Sequence, residues 1–212
     1  FGLVDARGKS GFARLRESLE AADGETPPEL ALEALRLIAA QIDAVFDDLR
    51  IDATKTGMLA SVGVIETVAA KITAREVRPL VVDPVMISKS GYALLAADAV
   101  AVLKARLLPM ATLVTPNAHE AALLAGMEVR TVEAAREAAR RIHDCGAAAV
   151  LVKGGHLEGE KEAVDVLYDG RQFYTFTAPR LDARHTHGTG CTYASAITAN
   201  LAKGFTLRES IA

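Results

Sequence analysis

Pro79-Leu80-Val81-Val82-Asp83-Pro84-Val85 is the stretch that decides the fold. A short β-branched run ends abruptly in Asp83-Pro84, so the sequence predicts a strand from Pro79 to Val85 with a carboxylate emerging where the strand stops. Ala111 to Thr115 repeats the design, with Leu113-Val114-Thr115 closed by Pro116-Asn117. Ala148 to Val152 repeats it again, closed by Lys153-Gly154-Gly155-His156. Helical patterns separate these runs, and that alternation predicts an α/β fold with a mainly parallel sheet and helices on both faces. Open sheets of this kind bind ligands at the carboxyl ends of their strands, so the three polar ends are expected to share one cleft.

The segments between agree. Thr131 to Cys145 places Val132, Ala135, Ala139 and Ile142 at helical spacing, with Glu133, Arg136, Glu137 and Arg140 opposite, which predicts an amphipathic cover helix with a solvated charged face. Val164 to Tyr168, Asp169-Gly170 and Gln172 to Thr177 predict a β-hairpin at a sheet edge, because Asp-Gly favours a tight turn. A long amphipathic helix is expected from about Pro28 to Leu49, and no repeat or Pro/Gly/Ser-rich linker divides the 212 residues, so one domain over 1–212 is expected.

Composition narrows the function. A net charge of -3 with scattered Lys and Arg provides no basic stripe, which argues against nucleic acid and leaves an anionic small molecule open. No apolar run reaches the length of a bilayer span and no signal-peptide pattern opens the chain, so no membrane partner and a cytoplasmic location are expected. The two cysteines, Cys145 and Cys191, lack metal-ligand spacing and fit a reducing compartment.

One run remains that points to chemistry: Arg184-His185-Thr186-His187-Gly188-Thr189-Gly190-Cys191-Thr192 leads into an apolar helical stretch. Glycines allow close approach of backbone to ligand, and the first amides of a helix favour negative charge. Cys191 sits in the same turn, where the helix dipole is expected to ease thiolate formation and make it a candidate proton acceptor. The same residues also describe an ordinary loop-to-helix turn with a small buried cysteine.

Taken in order, Lys55-Thr56-Gly57-Met58-Leu59, Val82-Asp83-Pro84-Val85-Met86, Lys89-Ser90-Gly91, Thr115-Pro116-Asn117 with Glu120, Lys153-Gly154-Gly155-His156 and Thr186 to Thr192 resemble the hydroxymethylpyrimidine and phosphomethylpyrimidine kinases from about Gln41 to the end of the chain. These are ribokinase-like enzymes of thiamine biosynthesis, so the resemblance implies a three-layer α/β/α fold. It implies an ATP- and Mg²⁺-dependent kinase acting on 4-amino-5-hydroxymethyl-2-methylpyrimidine and its monophosphate, with relatives that are commonly homodimers. It implies that Gly188, Thr189, Gly190 and Cys191 form the anion hole, with Cys191 taking the proton of the attacking hydroxyl. Lys153 and Gly154, together with Thr186 and Asn117, would contact the nucleotide, and Gly155 shares the close approach. Met58 and Val85 would line the pyrimidine pocket, and Asp83 and Glu120 would act on Mg²⁺.

Simpler roles stand beside these. Asp83 would cap the next segment, Asn117 and Glu120 would form a capping box, and Lys153 would be a plain strand-end lysine. Lys55 and Lys89 would pair with surface carboxylates. His156, His185 and His187 read as loop residues near the phosphate, and Cys145 as structural.

The N-terminus departs from the family pattern. Residues 1–40 hold neither the Gly-Ser-Asp-Ser-Gly-Gly-type loop nor the Gln-Asn-Thr motif of relatives, and Gly8-Lys9-Ser10 is not a P-loop. The resemblance therefore implies a kinase domain incomplete at both ends. It leaves a pyridoxal kinase, a hydroxyethylthiazole kinase and a non-catalytic pyrimidine- or nucleotide-binding homologue as alternatives.

Overall fold

Leu80-Val81-Val82 is fully buried and forms the second strand of a six-stranded sheet in the computed structural model, which describes residues 28–86, 95–155, 157, 162–180 and 188–212. In chain order the elements are α1 (Pro28–Asp48), β1 (Thr54–Thr56), α2 (Val62–Ala74), β2 (Leu80–Val82), α3 (Ala97–Arg106), a 3₁₀ turn (Leu108–Met110), β3 (Leu113–Val114), α4 (Ala118–Ala125), α5 (Val132–His143), β4 (Val150–Val152), β5 (Glu162–Tyr168), β6 (Phe173–Pro179), α6 (Thr189–Ala202) and α7 (Leu207–Ile211). The chain, read from sequence as one domain, divides into two compact units, Phe1–Asp47 and Asp48–Ala212. The described part of the first is α1, which starts with Pro28 in its first turn and buries none of its residues. No described helix is long and apolar enough to cross a membrane.

Strands β1 to β4 run parallel in sequence order, and β5 and β6 add antiparallel at the far side. Helices α2, α3 and the α4–α5 pair connect these parallel strands, and the right-handed sense that such connections take puts them on one face. On the other face Ala194 and Ile197 of α6 and Ile211 of α7 pack with Val81, Leu113, Leu151 and Leu167, one residue from each of four strands. Each such aliphatic side chain contributes about 1.5–3 kcal/mol when fully buried. This is the three-layer α/β/α arrangement, with a mainly parallel sheet as expected.

The regular strands are shorter than their sequence patterns because proline and loop geometry end them, yet ladder bonds continue into the polar residues. Asp83 N–H donates to the Thr56 carbonyl at 3.0 Å, Thr115 N–H to Val82 at 3.0 Å and Lys153 N–H to Pro116 at 2.8 Å. Val85 N–H then turns back to the Asp83 carbonyl at 2.9 Å, which stops β2.

Two local expectations are corrected. The hairpin forms, but Tyr168 pairs with Phe173, so the connection holds Asp169 to Gln172 and is longer than a two-residue Asp-Gly turn. Asp169 stabilises that longer loop by accepting from Arg171 N–H at 2.9 Å and Gln172 N–H at 2.8 Å. The charged side of α5 is also more than a solvated face, since Arg136 and Arg140 lie over the Phe173 ring at 5.9 and 4.8 Å. Cys145 has the structural role expected of it, with its thiol directed at the Arg141 carbonyl at 3.4 Å.

Candidate active site

The ladder bonds that extend β2, β3 and β4 bring Asp83, Thr115 and Lys153 to one end of the sheet. Asp83 is 1% exposed, and a carboxylate so placed is costly unless charge or hydrogen bonds compensate it. Lys153 Nζ lies 2.9 Å from Asp83 Oδ1, and Thr115 Oγ1 donates to the same oxygen at 3.2 Å. The second oxygen, Oδ2, is buried and has no hydrogen-bond partner within normal geometry among the described residues.

Helix α4 begins beside this pair. Asn117 Oδ1 accepts from Glu120 N–H at 3.0 Å, and Glu120 Oε2 accepts from Asn117 N–H at 2.8 Å, a complete capping box. Glu120 Oε1 also accepts from Met86 N–H at 3.4 Å, which ties α4 to the segment after Asp83. Burial pushes the Glu120 carboxyl above its usual range, against the opposing pull of the Asn117 amide and the Lys153 charge, while the Asp83 charge adds to the rise. The capping role read from Asn117-x-x-Glu120 is therefore present, and it leaves both side chains within the same electrostatic neighbourhood as Asp83 and Lys153.

Helix α6 brings the glycine-rich run to the same place. Gly188 adopts φ 83° as the residue before the helix and offers no side-chain cap. Intrahelical bonding begins with Thr192 N–H donating to the Gly188 carbonyl at 2.9 Å, so the helix supplies no acceptor of its own for the preceding amides. A methyl group on Gly190 would lie 3.0 Å from Lys153 Nζ, which places the ammonium directly against the first turn. The ammonium, paired with Asp83, and the amino end of α6 thus meet at one end of the sheet.

Cys191 is exposed in this turn and within hydrogen-bonding reach of the Asp83 carboxylate. The expected easing of its ionisation is corrected. Partial desolvation pushes the thiol up, the Asp83 charge and hydrogen bond add to that, and Lys55 and Lys153 pull it only partly back. Sequence reasoning weighed the helix dipole and missed the buried anion next to it. Lys55, read as a surface partner, instead directs its charge toward Cys191 from β1.

Gly154 also has a packing role that its sequence did not announce. A Cβ there would sit 1.7 Å from the Val164 carbonyl oxygen, its N–H donates to Asp165 Oδ1 at 2.7 Å, and its carbonyl accepts from Leu157 N–H at 3.0 Å. Close approach to β5 requires the glycine, and its polar groups are engaged within the protein. Among the described residues, no atom lies within 4 Å of where a Gly155 Cβ would stand. Met58 is exposed and Val85 half-buried, flanking the strand ends as apolar surface. Thr186, Lys89, His156, His185 and His187 lie outside the described residues. Asp165 was not singled out by its sequence, although an acidic residue inside Ala163-Val164-Asp165-Val166-Leu167 was the available signal.

Against this geometry the comparisons are decisive. The family model for phosphomethylpyrimidine kinase matches residues 29–212. The chain belongs to that family. It is 53% identical over 175 residues to the thiamine biosynthesis bifunctional protein ThiED of Geobacter sulfurreducens, covering 82% of this chain and 36% of that protein. It is 44% identical over 181 residues to the hydroxymethylpyrimidine/phosphomethylpyrimidine kinase of Bacillus subtilis, covering 85% of this chain and 66% of that protein. The chain thus spans about a third to two thirds of the length of these relatives. Among solved structures, the ADP complex of Bacillus subtilis pyridoxal kinase superposes with a TM-score of 0.77 at 42% identity, covering 82% of this chain and 66% of that one. The fold of the phosphomethylpyrimidine kinase family here is ribokinase-like.

Proposed function

We propose that this chain carries the phosphoryl-transfer site of a kinase that acts on 4-amino-5-hydroxymethyl-2-methylpyrimidine and its monophosphate with ATP. The observation that carries the reading is the meeting of a buried Asp83–Lys153 pair with a glycine-opened helix start bearing Cys191. Phosphoryl transfer needs mainly positioning and charge stabilisation, and these groups supply both.

In this reading the amides of Gly188, Thr189, Gly190 and Cys191 hold the moving phosphoryl group, and Lys153 neutralises its charge. Met58 and Val85 form the apolar wall of the pyrimidine pocket, and Asn117 and Thr186 belong to the nucleotide side. The substrate O–H bond breaks with its proton going to the Cys191 thiolate, the substrate O–P bond forms, and the γ-phosphorus separates from the β–γ bridging oxygen, which leaves with ADP. Only the thiolate accepts this proton, so turnover runs through the ionised fraction of Cys191 and grows as that fraction grows.

Among the described residues no cluster of three or more His, Cys, Asp or Glu would hold a metal alone. Mg²⁺ needs no such cage, since one or two carboxylates complete a shell of water and phosphate oxygens. The unpartnered Asp83 Oδ2 and the nearby Glu120 carboxyl fit that demand. They would hold the ion, which supplies charge neutralisation on the phosphate when bound.

The similarity to a pyridoxal kinase structure makes pyridoxal the competing substrate. ADP release is measured with ATP, Mg²⁺ and the hydroxymethylpyrimidine or its monophosphate, beside pyridoxal and hydroxyethylthiazole. Turnover with both pyrimidines is expected. Turnover with pyridoxal alone would move the substrate assignment, and silence with every alcohol would overturn the proposal for this polypeptide.

A further inference from the structure

An ionisable side chain inside a β-branched strand has to be held by something. Asp165 lies in β5 with its side chain on the same face as Leu167, which packs against α6. Its Oδ1 accepts from Gly154 N–H at 2.7 Å, and its carboxyl also hydrogen-bonds Tyr193, two residues beyond Cys191 on α6. Tyr193 in turn donates to the Ile211 carbonyl at 3.1 Å. Val164, the residue before Asp165, takes up the space where a Gly154 side chain would stand. One carboxyl group therefore joins the residue after Lys153 to the helix that carries Cys191.

We propose that Asp165 is a positioning residue of the phosphoryl-transfer site, clamping Gly154, and through it Lys153, to α6 at Tyr193, just past its first turn. This rests on the kinase reading above. The distance that matters is short: Lys153 Nζ stands 3.0 Å from the position of a Gly190 Cβ, so a small shift of the Lys153–Gly154 turn would change its placement against the anion site.

Proton bookkeeping sharpens the assignment. Tyr193 has one hydroxyl hydrogen, and it faces both the Ile211 carbonyl and the Asp165 carboxyl. The Asp165 carboxyl accepts from Gly154 N–H and from the Tyr193 hydroxyl, whose hydrogen is shared with the Ile211 carbonyl. Burial pushes the carboxyl up, and both hydrogen bonds draw it back. An asparagine can accept from Gly154 N–H and donate to the Tyr193 oxygen, whose hydrogen then serves the Ile211 carbonyl, and should replace Asp165 with little loss.

The test is a double-mutant cycle with two readouts: turnover of the pyrimidine alcohol, and iodoacetamide alkylation of Cys191 followed by peptide mass spectrometry with Cys145 as internal standard. Asp165→Ala should lower kcat by about 10- to 100-fold with little change in pyrimidine KM. It should also slow Cys191 alkylation, because the Lys153 charge that favours the thiolate is displaced. Asp165→Asn should stay near wild type in both readouts. In a Lys153→Gln background, which retains a donor for Asp83, Asp165→Ala should add nothing further. Should Asp165→Ala not fold, Tyr193→Phe takes its place in the same cycle with the same expectation. Additive effects of the Asp165 and Lys153 changes, or an asparagine as damaging as alanine, would overturn the inference. Absence of turnover in the wild type would sink the kinase reading alone, because the alkylation cycle still decides whether Asp165 places Lys153.

Discussion

Two groups of charges lie at different depths. At the strand ends, Asp83 and Lys153 are paired with side-chain exposures of 2% and 13%. On α5, Arg141 pairs with Glu137 at the same 2.9 Å, with exposures of 48% and 43%. Equal distance does not mean equal consequence. Water screens the α5 pair, which is worth about 0.3–0.5 kcal/mol, whereas each member of the strand-end pair depends on the other to offset desolvation. The comparison teaches that the strand-end pair is held at a cost that the proposed phosphoryl-transfer role would account for, and that the surface pair is ordinary solvation.

The largest way to sharpen the contrast is at Cys191. Cys191→Ala should reduce kcat by roughly 10² to 10⁴, the usual worth of a general base, with nucleotide affinity nearly intact. Because Asp83 and desolvation push the thiol up, wild-type kcat/KM should climb as pH rises above neutral, and the climb should vanish in the alanine variant. A pH-rate profile checks both. Lys153→Met should leave Asp83 buried and unpaired, costing about 3–5 kcal/mol in urea unfolding, and adding Asp83→Asn should recover much of that loss.

Smaller effects follow in order. Gly154→Ala should cost about 1–3 kcal/mol through overpacking on the Val164 carbonyl, while Gly155→Ala should change stability by about 0.5 kcal/mol or less. Equal melting shifts for the two would refute the packing account of Gly154. Glu120→Gln should raise the Mg²⁺ concentration at half-maximal activity by about 10-fold. An unaltered Mg²⁺ titration would leave Glu120 as a helix cap alone. Glu137→Ala is the control, with an expected loss under about 0.5 kcal/mol.

Much of this was legible in the sequence because it is local. Leu80-Val81-Val82 followed by Asp83-Pro84 specifies both a strand and its polar end, and Asn117-x-x-Glu120 specifies a cap within one helical turn. The glycine-opened start of α6 is legible for the same reason, since Gly188 sets the helix boundary through its own backbone. What escaped is long-range. The upward shift of Cys191 comes from desolvation by the packed fold and, after it, from Asp83, 108 residues earlier in the chain. The need for glycine at 154 comes from the Val164 carbonyl on a neighbouring strand, and no turn pattern announces it. Asp165 was hidden within a run that reads as a hairpin strand, because its partners Gly154 and Tyr193 come from different elements.

The β5–β6 hairpin sets a parity. The chain climbs β4 to Lys153, descends along β5 and climbs again along β6, so two reversals return it to the level from which it left. A helix that begins there presents its amino end to the lysine, as Gly190 does. One reversal alone would have delivered the chain to the opposite rim, and a helix starting from that rim would have turned its carboxyl end toward the phosphate. Insertions that lengthen either hairpin strand leave this count unchanged, whereas deletion of β6 would invert the polarity of the anion site.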